Sequence, residues 1–167
     1  LVERGLTRYV GLSEASANSI RRARKVHPVC SLQMEYSLWS RDPEAGNIRA
    51  CRDFNMGFMA YSPLGRGFFA GVVHGAKDLA EGDGRSGHPR FQPQNLERNI
   101  TLLSQFEELA KEKNATPAQL ALAWVMAARR AAMSAPGMIV SPTMKAGVPS
   151  IFKALASARV SRICRSM

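Results

Sequence analysis

Short apolar runs alternate with amphipathic stretches along residues 1–128. Tyr9, Val10, Gly11 and Leu12 form the first run and predict a short strand ending at Ser13. Ser16 then stands as an N-cap before Ala17 to Val26. In that stretch Ile20 and Ala23 fall on an inward helix face, and Arg21, Arg22 and Arg24 on a solvated one. Pro28 ends the helix. Val29 to Met34 predict a second strand whose end turns polar at Gln33 and Glu35, followed by a loop from Tyr36 to Trp39. Asp42 as N-cap and Pro43 as first helical residue predict a helix running to about Phe54, with Asn55 as a left-handed stop. Gly57 opens a third strand, Phe58 to Tyr61, whose continuous apolar character suits a buried position.

This alternation predicts repeated βα units and a parallel sheet. Ser13, Gln33 and Ser62 fall at or just past strand carboxyl ends, the edge where parallel α/β folds bind ligands. Each alone could be a strand-end polar residue bonded to a neighbouring loop, but three in register point to a site. The stretch Gly57 to Gly71 organises the rest. After the strand, Ser62 to Gly67 break all regularity: Pro63 fixes its own φ, while Gly65 and Gly67 permit positive φ and close ligand approach. A small-residue loop with Arg66 at such an edge suits an anion, although a tight strand exit with a solvated arginine reads the same way.

Residues 70–96 are rich in glycine and proline and predict a long loop, either a lid over the ligand edge or a disordered segment. Asn95 to Lys113 follow with helical periodicity at Leu96, Ile100, Leu103, Phe106 and Leu109. Thr116, Pro117 and Gln119 form a capping-box start for a largely buried helix, Gln119 to Ala128.

The 167 residues suit one soluble domain with a sizeable core, and no run is long and apolar enough to span a bilayer. The net charge of +10 brings nucleic acid to mind until it is located. Of the 23 basic residues, Arg129, Arg130, Lys145, Lys153, Arg159, Arg162 and Arg165 lie in 129–167, and all 13 acids precede them. The surplus therefore belongs to a basic tail. That tail has Phe152 as its one aromatic residue, too few for a single-strand binder, and nucleic acid is the less favoured partner. Cys30, Cys51 and Cys164 have no metal-ligand spacing, which points to free, mostly buried thiols in a reducing, cytoplasmic setting without metal. No secretory signal is visible, and Leu1 is not a natural initiator, so coding sequence upstream is expected.

Segments 9–14 (YVGLSE), 31–44 (SLQMEYSLWSRDPE), 57–71, 88–99 (HPRFQPQNLERN) and 115–127 (ATPAQLALAWVMA) resemble the aldo-keto reductase family in wording, order and spacing. The nearest branch holds pyridoxal-reductase-like and auxin-induced-like members. The resemblance implies a (β/α)₈ barrel with NADP(H) at the strand carboxyl ends. It would make the three strands here the fifth to seventh of eight. It also implies that Ser13 and Gln33 hold the nicotinamide carboxamide and that Tyr61 stacks on the ring. Ser62, Leu64, Gly65 and Arg66 would then run along the pyrophosphate, with Trp39 lining a carbonyl-substrate pocket or simply packing in its loop. The family often has asparagine where this chain has Glu14.

Two departures accompany these matches. The family's Asp, Tyr, Lys and His group lies on earlier strands, which would precede Leu1, and Tyr9, Tyr36 and Tyr61 match other positions. Beyond Ala128, the expected eighth strand and phosphate-gripping segment are reduced to a faint echo at Ile139–Val140 and Thr143 to Lys145. The reading is thus a partial barrel over 1–128 with a divergent basic tail over 129–167. Such a half barrel would leave strand edges open and call for self-association or a complementing half. Its function would be that of a fragment of an NADP(H)-dependent reductase of aldehydes and ketones, without the catalytic group. The alternatives are a non-catalytic binding protein of the same fold, as in potassium-channel β-subunits, or a truncated pseudogene product.

Overall fold

The computed structural model describes residues 1–132. The eighth-strand echo, and all of the basic tail beyond residue 132, lie outside the described residues. Three parallel strands stand in the order β1-β2-β3: β1 (Gly11–Ser13), β2 (Ser31–Glu35) and β3 (Gly57–Tyr61). Register sets Leu12 beside Leu32 and Leu32 beside Phe58. Because side chains alternate across a pleated strand, this row faces the helices, and Leu32 and Phe58 are fully buried there. The next row, Ser13, Gln33 and Met59, faces the other way and is exposed or half-exposed.

The strand predicted over Tyr9 to Leu12 is shorter and shifted. It begins at Gly11, and Tyr9 is exposed. Helix α1 (Ala17–Arg24) starts as expected, with the Ser16 hydroxyl accepting from the Ser19 N–H, but it ends before Val26. Arg24 is only partly solvated. Its guanidinium lies 5.3 Å from the centre of the Phe54 ring and donates to the Val29 carbonyl. Asp42 does not cap a long helix either. A 3₁₀ turn (Asp42–Ala45) is separated from α2 (Asn47–Asp53) by Gly46, whose extended backbone leaves the helical path. Glu44 helps hold this turn in place: its carboxylate takes two bonds from Arg41 and one from the Tyr36 hydroxyl. Asn55 is left-handed, as its position after the helix required.

The stretch read as a lid or a disordered loop carries three short 3₁₀ turns, Ala76–Asp78, Gly84–Gly87 and Pro89–Phe91, and its Phe91 is buried in the core. Helix α3 (Pro93–Glu112) then begins two residues earlier than expected. Two of its asparagines reach back, Asn95 to the Pro89 carbonyl and Asn99 to the Arg90 carbonyl, and fix residues 89–91 against the helix. Helix α4 (Pro117–Ala132) starts at the capping box. The Thr116 hydroxyl accepts from the Gln119 N–H, and the Gln119 amide oxygen accepts from the Thr116 N–H.

The core gathers where the strand-end loops meet these helices. Trp39 stacks on Phe68 at 4.2 Å and meets Phe69 and Phe91 edge-on. Phe69 in turn meets Phe106 of α3. Gly65 lies against this cluster with φ +57°; a Cβ there would come within 2.9 Å of Trp39 and 3.0 Å of Phe69. Gly65→Ala is therefore expected to destabilise the chain by about 1–3 kcal/mol, through both overpacking and a left-handed backbone. Urea unfolding would measure this as a lower midpoint at unchanged slope.

Asp83 and Arg85 pin the glycine-rich stretch. The Asp83 carboxylate takes the Arg85 backbone N–H and its guanidinium, which lowers the Asp83 pKa to about 2. A depressed carboxylate contributes fully above its ordinary pKa and loses that contribution as pH falls through the folded value. This turn should thus persist at pH 5 and open only as pH falls from the ordinary carboxylate range toward 2. An NMR titration of the Asp83 carboxyl carbon, with its midpoint well below that of a free aspartate, would check this.

Candidate functional site at the strand carboxyl ends

β2 and β3 end level with one another, so Glu35 pairs in register with Tyr61. β1 ends at Ser13, and Glu14 just beyond it adopts a left-handed backbone. That turn sends the Glu14 carboxylate across the sheet edge, where it accepts the Glu35 backbone N–H at 2.9 Å. The same carboxylate acts on the Tyr61 hydroxyl and raises the Tyr61 pKa. Three strand ends are thereby tied together by one side chain.

A cavity of about 430 Å³ opens above this edge. Its walls include Tyr61, Gly65, Arg66 and Trp39, four of the residues singled out from sequence. Ser13, Gln33, Ser62 and Leu64 do not line it. Ser13 and Gln33 are register partners on the open sheet face, and Gln33 lies two residues short of its strand's end. The Gln33 amide donates a weak bond to the Met59 sulfur at 3.6 Å. Ser62 supplies a left-handed corner after β3, and Leu64 packs its side chain against the core.

Arg66 is not simply solvated. Its guanidinium donates to Glu35 Oε2 at 3.1 Å, and it too is left-handed, between Gly65 and Gly67. Among the described residues no hydrogen bond takes up the backbone N–H of Arg66 or Gly67. A loop with free amides beside a guanidinium can receive an anion.

Sequence reasoning missed the opposite wall, formed by Ser40, His88, Arg90 and Phe91. Arg90 donates to the Ser40 hydroxyl and to the Trp39 carbonyl, and its guanidinium lies 5.2 Å from the centre of the Trp39 indole. The signal was present in the His88-Pro89-Arg90-Phe91 wording, but local pattern alone could not say that this segment folds over the strand-end loop. A second groove of about 370 Å³, lined by His74, Pro93, Leu96, Glu97, Ile100 and Thr101, holds none of the residues singled out.

Tyr61 is the tyrosine at this site. Tyr9 is exposed and does not line the cavity. Tyr36 is buried between Phe58 and Trp124; burial and its bond to Glu44 push its phenol far above the usual range. Among the described residues no group of histidine, cysteine and acidic side chains could hold a metal ion. No described helix is long and apolar enough to cross a membrane.

Comparison with known proteins fits this arrangement. The chain superposes on the glycerol dehydrogenase structure from Gluconobacter oxydans with a TM-score of 0.75 and 24% identity, over 98% of this chain and 49% of that one. At that identity the likeness speaks for the fold. "Probable aldo-keto reductase 1" of Glycine max is 49% identical over 128 residues, which cover 75% of this chain and 36% of that protein. The chain thus spans well under two-thirds of the relatives it matches. The sequence model of the Aldo/keto reductase family matches residues 1–163. By that match and by its fold, the chain belongs to the aldo-keto reductase family, whose architecture is the (β/α)₈ barrel.

Proposed function

We propose that this chain supplies part of the cofactor wall of an NADP(H)-dependent oxidoreductase that reduces aldehydes and ketones to alcohols. The observation that carries the proposal is the convergence of Tyr61, the left-handed loop after β3, Arg66 and Trp39 on one cavity at the carboxyl edge of a parallel sheet. The residues present fit a dinucleotide. The Arg66 and Gly67 amides have no hydrogen-bond partner among the described residues, and a guanidinium stands beside them. Tyr61 offers an aromatic face, and Ser13 with Gln33 offers adjacent donors and acceptors on the open sheet face.

In this reading Ser62, Leu64, Gly65 and Arg66 follow the pyrophosphate, mainly through backbone amides and one charge. Tyr61 packs against the nicotinamide ring, and Ser13 and Gln33 orient its carboxamide. The bound nicotinamide supplies hydride. The chain's part is to bind, orient and exclude water, with Trp39 as a wall of the carbonyl pocket. Glu14 holds the Tyr61 phenol protonated by raising its pKa, which suits a stacking tyrosine better than a proton donor.

Residues 1–128 correspond to strands five to seven of the barrel, with α4 running on to Ala132, and 129–167 carry the basic surplus as a divergent tail of the same family region. The family's Asp, Tyr, Lys and His group would stand on strands that precede these three in the barrel. Among the described residues the outer edges of β1 and β3 are unpaired, so a complementing half or a second copy would close the sheet. The reducing, cytoplasmic setting rests on the free thiols of Cys51, which is buried as expected, and Cys30, which is exposed instead. A non-catalytic binding role uses the same cofactor wall and differs only in the absence of turnover.

Fluorescence titration of the purified chain with NADPH tests the proposal. Saturable binding is expected, weakened about tenfold in Tyr61→Ala by loss of stacking. No saturable binding in a folded sample, or binding indifferent to Tyr61, would overturn it.

A further inference from the structure

A single run of hydrogen bonds joins the loop read as phosphate-binding to the wall of the substrate pocket. Arg66 donates to Glu35 Oε2 at 3.1 Å, and the Ser40 hydroxyl donates to Glu35 Oε1 at 2.7 Å. Arg90 donates to Ser40 Oγ at 2.9 Å and to the Trp39 carbonyl at 2.8 Å. The polarity of this chain is forced. A guanidinium can only donate, so Ser40 must accept from Arg90, and its one proton is left for Glu35. Glu35 therefore accepts on both oxygens at once. A carboxylate can do this; a carboxamide, with one oxygen and one NH₂, cannot.

Glu35 is held for this task from its own backbone, whose N–H is taken by Glu14. It is partly buried and its ion pair with Arg66 is half-exposed, so the pair is neither locked nor idle. An anion seated on the Arg66 and Gly67 amides would compete with Glu35 for the same guanidinium. Relaxation of Glu35 toward Ser40 would then shift the Arg90 clamp on Trp39.

We infer that Glu35 is a positioning residue that couples occupancy of the phosphate loop to the setting of Trp39, through Ser40 and Arg90. Glu35 holds Arg66 through this pair; when the cofactor's pyrophosphate takes Arg66, the freed carboxylate oxygen resets the wall on which the carbonyl substrate rests. The inference rests on the reading of Ser62 to Gly67 as the phosphate loop. It assigns Glu35 no contact with substrate.

Inorganic pyrophosphate is the probe, because it carries the anionic group without a chromophore. The chain has two tryptophans, so Trp124→Phe isolates the Trp39 emission. In that background pyrophosphate should bind and shift Trp39 emission, and Arg66→Gln should abolish both. Glu35→Gln should bind pyrophosphate about fivefold more tightly, the upper end for losing a half-exposed ion pair, with no Trp39 shift. Ser40→Ala, which leaves Arg66 untouched, should keep the parent affinity within about twofold and lose the shift. A Trp39 response that survives in Ser40→Ala, or a Glu35→Gln variant that matches the parent in affinity and shift, would overturn the coupling and leave the phosphate-loop reading standing. No Arg66-dependent pyrophosphate binding in the parent would overturn both.

Discussion

The stack of Trp39 on Phe68 is the contact on which the candidate site depends. It joins the loop after β2 to the loop after β3, and Phe91 and Phe106 extend it to the 89–91 turn and to α3. It forms only because Gly65 has no side chain where Trp39 and Phe69 converge. Aromatic groups in edge and stacked contacts bury much surface and also fix geometry. Here they fix the height of the strand-end loops above the sheet, and so the depth of the cavity.

Electrostatics completes what packing begins. A parallel sheet leaves its carboxyl edge ragged, because strands of unequal length stop at different heights. Glu14 evens that edge by spanning from β1 to the Glu35 backbone and the Tyr61 hydroxyl. Arg66 and Arg90 are each partnered from within the site rather than left to solvent. The cavity therefore presents an ordered set of donors and acceptors, and an anion entering it must exchange partners rather than simply add one.

The repeating βα order was legible in the hydrophobic pattern, since apolar runs bounded by Ser13, Pro28 and Gly57 leave few alternatives. Caps were legible where side-chain chemistry acts locally, at Ser16 and Thr116. A continuous helix over 42–54 does not form, because aspartate and proline signal a helix start without governing the residues downstream. Gly46 breaks the path, and Glu44 is taken up by Arg41 and Tyr36. The 70–96 stretch looked loop-like because glycine and proline dominate its composition. Its order comes from contacts distant in sequence, such as Arg90 to Trp39 and Arg85 to the Arg66 carbonyl. Arg90, the main omission from the site, belongs to the same class: no periodicity announces a residue whose partners lie fifty positions upstream.

A dinucleotide received by the strand-end cavity would lie along the loop after β3. Backbone amide shifts of the ¹⁵N-labelled chain, followed as NADPH is added, should then be largest at Arg66 and Gly67, together with the Trp39 indole N–H. Shifts centred instead on the groove lined by His74, Leu96 and Ile100, with Arg66 and Gly67 unmoved, would contradict that placement.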